Sequence, residues 1–506
     1  LEQHIRTHYR FLTMDAQSNV SFYSVAFVLL ALFLFFLCFL GRKVFLYKCK
    51  CDVCEAYLCM SWKKTFRNLC DWQSYLLENS PSKTIHIHVL NNIITANPAN
   101  VEHILKTNFH NYPKGKQFSS ILGDLLGRGI FNVDGNLWKF QKNLASFELN
   151  KSSIRLYAFD VVRSEISDWL VPLLEETTAG LDVQDVFQKF SFNVICRFSF
   201  GLDPRRMNSA LYSSDFATSF DVASKLSATR AFKVYPLIWK LQRAFNFGAE
   251  KKMKEANKII NKIATDIIAQ RRSSMGELST NRKQDLLSRF MHSVDNDAFL
   301  RDIVVNFLLA GRDSVASALT SFFWLIEKHP EVAKSILDEA DEVLGQWKEP
   351  QTFEEMRNLH YLQAAVYESM RLFPPIQMDS KFSVGDDMLP DGSFVKRGTR
   401  VAYHPYSMGR MTEIWGSDCL KFKPERWLKE GVFMPMNPYK FPVFQAGARV
   451  CLGKEMAVLE VKLVALSLIR RFHFQSSSTY HTPTPLFSPG LTATYQNGFT
   501  LIITGR

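Results

Sequence analysis

The chain has 506 residues, 47% of them hydrophobic, enough to bury one very large core or two to three ordinary ones. Nine cysteines with no even framework in a short domain exclude a secreted disulfide scaffold and point to a reducing compartment. The net charge of +12 calls for an anionic membrane face or an acidic protein partner; the basic residues are spread along the whole chain, which speaks against nucleic acid.

In chain order, residues 1–21 read as a short N-terminal segment, of which residues 1–13 precede Met14 and are expected to lie upstream of the native start. Residues 22–40, Phe22 to Leu40, are an apolar run without a charge, followed by Gly41-Arg42-Lys43, Lys48 and Lys50. That length just crosses a hydrocarbon core as a helix. A cleavable signal peptide is the rival reading. The run is long for one and lacks a small-x-small site before the basic cluster, so a retained transmembrane helix is expected, with the bulk of the chain cytosolic. Residues 41–80 read as a basic, cysteine-containing linker, in which Cys49, Cys51, Cys54 and Cys59 fall within eleven residues. Zinc sites usually pair two ligands, loop out and return with two more; with no second half here, membrane-proximal thiols open to acylation are the expectation.

Residues 81–506 read as one domain, mostly α with a small β region. Ile85-His86-Ile87-His88-Val89 alternates as a half-buried strand whose two histidines share the wet face, and Asn97-Pro98 starts a helix. Trp138 and Lys142 stand one helical turn apart, where an indole N–H and an ammonium can hold a carboxylate between them. Lys251 to Arg272 carries Met253, Ala256, Ile260, Ile263 and Ile267 on one stripe, and Ser273 to Asn281 reads as a surface loop. Ala298 to Glu327 is the longest uninterrupted helical pattern, with Asp297 as N-cap and Gly311 in its middle, where glycine costs up to about 1 kcal/mol. Glu368 and Arg371 sit a turn apart on an apolar helix. Gly392 to Val401 and Gly490 to Ile503 read as hairpins.

The pattern that organises the rest is Phe444-Gln445-Ala446-Gly447-Ala448-Arg449-Val450-Cys451-Leu452-Gly453, followed by a helix from Lys454. A cysteine before a helix start meets free backbone N–H groups and the helix dipole, which favour a thiolate and hence an iron ligand. Gly447 and Gly453 allow close approach to a flat cofactor, Arg449 reaches an anionic group on its rim, and Phe444 shields the sulfur. Phenylalanine, glycine, arginine, cysteine and glycine at this spacing resemble the haem loop of the cytochrome P450 monooxygenases. The resemblance implies the cytochrome P450 fold over 81–506 and haem b with Cys451 as its axial metal ligand. It implies Arg449, Trp138, Lys142 and Lys381 on the propionates, where relatives carry arginine in place of both lysines. Gly311, Asp313 and Ser314 become the oxygen groove and proton relay, serine standing where the family usually has threonine. Glu368, Arg371 and Arg426 become the buried structural triad.

Asn111-Tyr112-Pro113-Lys114-Gly115, Ile121 to Gly127, Phe307 to Asp313, Tyr406 to Arg410 and Pro442 to Gly447 are similar to the plant fatty-acid ω-hydroxylase clan, and within it to the branch oxidising jasmonoyl-isoleucine. That likeness implies ω-hydroxylation, and onward oxidation to the acid, of an aliphatic carboxylate. The pocket then draws on Phe118, Ile121, Asn306, Phe307, Ala310, Ile376, Gln377, Met378 and Leu491. The family's known biology adds NADPH through a separate cytochrome P450 reductase, an endoplasmic reticulum membrane, lipid contact and a monomer. No dinucleotide or flavin fingerprint occurs in this chain, and Lys454 and Lys462 are expected on the reductase face. Two other readings stand beside it: reductase-independent rearrangement of hydroperoxides, and a non-catalytic haem and lipid-binding relative.

Overall fold

The computed structural model describes residues 27, 28, 31, 32, 49 and 51–506, apart from 178, 207–213, 276–284 and 477–483. The expected membrane helix over 22–40 and most of the expected surface loop after Ser273 lie outside the described residues. The chain divides into two compact units, Leu1–Ser61 and Trp62–Arg506. In the first, Asp52–Leu58 is a helix and Cys54 is fully buried. The second begins inside the stretch expected to be linker. Leu69–Asn79 is a helix there, with Trp72 and Leu77 buried, so this part of the stretch is packed structure.

In the second unit the helices carry two apolar clusters. One gathers around Val183–Phe200, Ser314–Lys328, His360–Leu372 and Lys454–Arg471, where Phe187 stacks on Phe323 at 5.4 Å and Trp324 meets Phe499 at 5.1 Å. The other gathers around Gly115–Leu126, Ser214–Ala231, Gly248–Met275 and Asp297–Leu308. The stripe expected on the third of these is buried at Met253, Ala256, Ile260, Ile263 and Ile267, so period 3.6 identified the packed face.

The main sheet has the order Thr84–Ile87, Asn92–Thr95, Arg400–Tyr403, Asp379–Phe382; its central pair is parallel and the outer pairs antiparallel. Neither span expected to be a hairpin closes on itself. Phe394–Val395 pairs with Asp387–Met388, and Arg400–Tyr403 joins the sheet far upstream. Thr494–Tyr495 pairs with Phe487–Ser488, and Thr500–Gly505 lies between Phe472–Ser476 and Leu181–Asp182. Two of these pairings are local hairpins whose first strands lie just before the expected spans, whereas the partners of Arg400–Tyr403 and Thr500–Gly505 are remote in sequence, and local turn signals carry no record of those.

The long helix also departs from its reading. Asn296, not Asp297, is the N-cap, its side chain accepting from Phe299 N–H at 2.9 Å. The helix is interrupted by a π-turn at Leu309–Asp313 before it resumes at Ser314. Among the described residues, Asp297–Lys328 is the one stretch long and apolar enough to cross a membrane, yet 72% of its most apolar window is buried in protein, which makes it core.

Candidate active site

The loop before helix Lys454–Arg471 turns through two left-handed residues, Gln445 (φ 61°) and Gly447 (φ 60°). It closes through Cys451 N–H on the Phe444 carbonyl at 2.9 Å and Val450 N–H on the Gly447 carbonyl at 3.2 Å. A Cβ at Gly447 would overlap the backbone oxygen of Leu105, so the approach of another stretch of backbone by itself calls for glycine here. Gly453 caps the helix and has nothing within 4 Å of its missing Cβ. Phe444 is half-buried with its ring 5.9 Å from Tyr367, and Lys454 Nζ stands 5.5 Å over its face.

Cys451 is exposed, yet burial is the strongest influence on its thiol and pushes it up; Gly453 N–H and the ammoniums of Lys454 and Lys142 pull it down. A sulfur that is accessible and still deep in the protein mass faces an internal cleft. The helix start acts on the thiol in the expected direction, through the Gly453 N–H, while burial acts against it.

Behind the loop lies the expected triad. Arg371 grips Glu368 with two bonds of 2.7 Å, and Arg426 Nε donates to the same carboxylate at 3.1 Å, as does Trp427 Nε1 at 3.0 Å. Arg371 also donates to the carbonyls of Gly409, Cys419 and Lys421, so the buried charges are fully bonded. Trp427 and Tyr367 pack on Phe441, at 4.8 and 5.7 Å, which carries the triad's rigidity into the cysteine loop.

On the other side a chain of charges runs across four segments. Arg449 lies 4.7 Å over the Trp138 ring and pairs with Asp134 at 2.6 Å, while Lys142 donates to the carbonyl of Ala448. Asp134 accepts the backbone N–H groups of Lys114 and Gly115 at 2.9 Å. The Lys114 ammonium reaches Asp379 at 2.7 Å, and Lys381 reaches it at 2.6 Å. Burial acts on the half-buried Asp379 carboxyl in the upward direction, and the two lysine ammoniums beside it override this and hold it well below the ordinary range. Three cations, Arg449, Lys114 and Lys381, thus share two carboxylates, and the buried Nε of Arg449 has no partner among the described residues. Lys114, Asp134 and Asp379 were not singled out by role from the sequence. Only the Asn111 to Gly115 motif flagged the first of them.

In the interrupted helix, Ser314 Oγ donates to the Ala310 carbonyl at 2.5 Å, which leaves the hydroxyl oxygen free to accept. Burial raises the Asp313 carboxyl to about 6 against the opposing pull of Arg312. That arginine, itself buried, binds Asp313 and Asp221 at 2.9 Å each. A Cβ at Gly311 would overlap Ile195 of helix Val183–Phe200, so a close helix crossing by itself calls for glycine within the π-turn.

Of the expected pocket residues, Phe118, Ile121, Phe307 and Leu491 pack half-buried on one cluster together with Leu452, the neighbour of Cys451. Asn306 is a correction. Its amide donates to the carbonyls of Leu126 at 2.9 Å and Asp302 at 2.7 Å and accepts from Phe131 N–H at 3.3 Å, so its polar atoms fasten a loop. Ala310 is half-buried within the π-turn, and Ile376, Gln377 and Met378 are half-buried ahead of strand Asp379–Phe382. Gln377 Nε2 is buried without a partner among the described residues. Lys462, expected on the reductase face, is buried: its ammonium donates to Met356, Leu359 and Gln363, and burial lowers its pKa to about 7.

Residues 78–501 match the family model described as Cytochrome P450. The chain belongs to the cytochrome P450 family. It is 54% identical over 499 residues to Cytochrome P450 94C1 of Arabidopsis thaliana, covering 96% of this chain and 99% of that one. It is 40% identical to Cytochrome P450 94A1 of Vicia sativa, covering 88% of both. The fold is similar to the crystal structure of the cytochrome P450DA heme domain, with a TM-score of 0.67 at 19% identity, covering 82% of this chain and 88% of that chain. The chain is thus a cytochrome P450 monooxygenase, a family that uses haem with a thiolate ligand. Its residues fit that group: a cleft-facing sulfur, open space before Gly453, an orphan Arg449 Nε and one cation in excess of the local carboxylates all suit an iron centre with anionic rim groups.

Proposed function

We propose that this P450 hydroxylates the terminal carbon of an aliphatic carboxylate, with jasmonoyl-isoleucine the favoured substrate and plain fatty acids the runner-up, using NADPH through a separate reductase at the endoplasmic reticulum membrane. The observation that carries the reading is the gathering of Phe118, Ile121, Phe307 and Leu491 on one apolar cluster with Leu452, beside the candidate iron ligand. Such a wall suits an alkyl chain and offers it no polar partner. Haem held by the Cys451 sulfur would supply the oxygen-activating chemistry. Trp138, Lys142, Arg449, Lys114 and Lys381 are the residues that would hold its carboxylates. Asp313, oriented by the permanently charged Arg312, takes a proton from the solvent side and passes it to Ser314, whose hydroxyl delivers it into the cleft. The orphan Gln377 donor serves a polar group of the substrate. An unfilled buried donor costs about 1–3 kcal/mol, which a ligand oxygen recovers.

The test is a turnover screen with reductase and NADPH that compares jasmonoyl-isoleucine with lauric and oleic acids. Preference for the conjugate is expected, and Gln377→Leu is expected to raise its KM more than that of lauric acid. Equal or faster turnover of the plain acids overturns the conjugate assignment, and no NADPH-dependent product overturns the hydroxylase reading.

A further inference from the structure

The first compact unit holds a feature the active site does not use. The sulfurs of Cys49, Cys51 and Cys54 all lie within 4.8 Å of one another. Local geometry explains it: Cys51 is the N-cap of helix Asp52–Leu58 in extended backbone (φ −73°, ψ 145°), and Cys54 follows three residues later on the same face. Cys59, grouped with them by sequence crowding alone, is the C-cap at the far end of that helix and stays outside the cluster. Cys54 is fully buried and Cys49 and Cys51 are half-buried, which is the wrong exposure for thiols awaiting an acyl chain.

We infer that Cys49, Cys51 and Cys54 together bind one thiophilic divalent cation, zinc, as a structural site. Thiolates bound to tetrahedral zinc at about 2.3 Å stand about 3.8 Å apart, within reach of the observed cluster by small side-chain rotations. Each sulfur gives up its proton on binding, so the cation replaces three thiol protons and affinity falls as pH falls. Three thiolates and Zn²⁺ leave a net charge of −1, offset in sequence by Lys48 and Lys50, and a water or a side chain beyond this segment completes the tetrahedron. On this proposal the thiols are metal-bound rather than acylated, and C-x-C-x-x-C brings three donors together without the second half of a paired motif.

The test is elemental analysis of the full-length haem protein, purified with zinc alone added and then dialysed, with iron as the internal standard. About one zinc per iron is expected, falling to near zero in the Cys49→Ser/Cys51→Ser/Cys54→Ser protein and staying near one in Cys59→Ser. X-ray absorption at the zinc edge of the unmutated protein, which does not depend on any variant folding, is expected to show three sulfurs at about 2.3 Å. Zinc absent while iron is present, zinc retained by the triple variant, or a shell without sulfur overturns the proposal.

Discussion

Single side chains set the proton chemistry. Ser314 keeps the hydroxyl of the relay but lacks the methyl that fixes a threonine rotamer, and its bond to Ala310 is what holds it. Ser314→Thr is expected to lower hydrogen peroxide release per NADPH roughly twofold, the scale of a rotamer preference. Ser314→Ala is expected to make peroxide the main product; both are read by oxygen and NADPH stoichiometry. Buried Glu460 gives a pH-dependent case. Burial raises its carboxyl well above the ordinary 4.5. Below pH 4.5 the group is neutral folded or unfolded; above it the unfolded chain ionises first, so stability present in acid is lost as pH rises. Glu460→Gln is expected to raise Tm at pH 8 and leave it unchanged at pH 4, measured by calorimetry.

At the scale of elements, the buried pair between helix His360–Leu372 and the turn Pro424–Trp427 holds the cysteine loop from behind. Arg371→Ala leaves Glu368 charged and half-satisfied in the core, a loss of about 3–5 kcal/mol. Protein without a haem absorption band is expected, with helical circular dichroism largely kept. Asn306 joins helix Asp297–Leu308 to the end of Gly115–Leu126 and the loop after it by two hydrogen bonds, to the Leu126 carbonyl and from the Phe131 N–H. Asn306→Ala strips partners from buried backbone groups and is expected to cost about 2–3 kcal/mol, read by denaturant midpoint, while Asn306→Asp, which keeps the acceptor alone, costs no less. The triad was legible because its order and separations survive in one dimension. The Asn306 latch was not, since nothing local marks a helix asparagine whose partners lie some 175 to 180 residues upstream.

At the scale of the molecule, the proposed use of a separate reductase makes the net charge of +12 a candidate for steering an acidic partner through screened surface charges. Raising salt from about 0.05 to 0.5 M is expected to increase the apparent KM for reductase several-fold. Lys139, exposed on the helix whose Lys142 reaches the cysteine loop, is the side chain to reverse: Lys139→Glu raises that KM and leaves substrate affinity unchanged. Lys462 drops out of this surface, because a charge placed by sequence in the middle of helix Lys454–Arg471 said nothing about which way its face turned.

The sequence alone determined the chemistry that short-range pattern can hold: the cysteine loop ahead of its helix, the Glu368 and Arg371 pair, the Met253 to Ile267 stripe and the family these imply. Only the tertiary structure decided which charges share a carboxylate, why Gly311 and Gly447 are glycine, that Asn306 fastens a loop, and that three thiols converge while a fourth does not. The physical reason is that spacing along a helix or turn fixes local direction, whereas burial and partnership depend on chain brought back from hundreds of residues away.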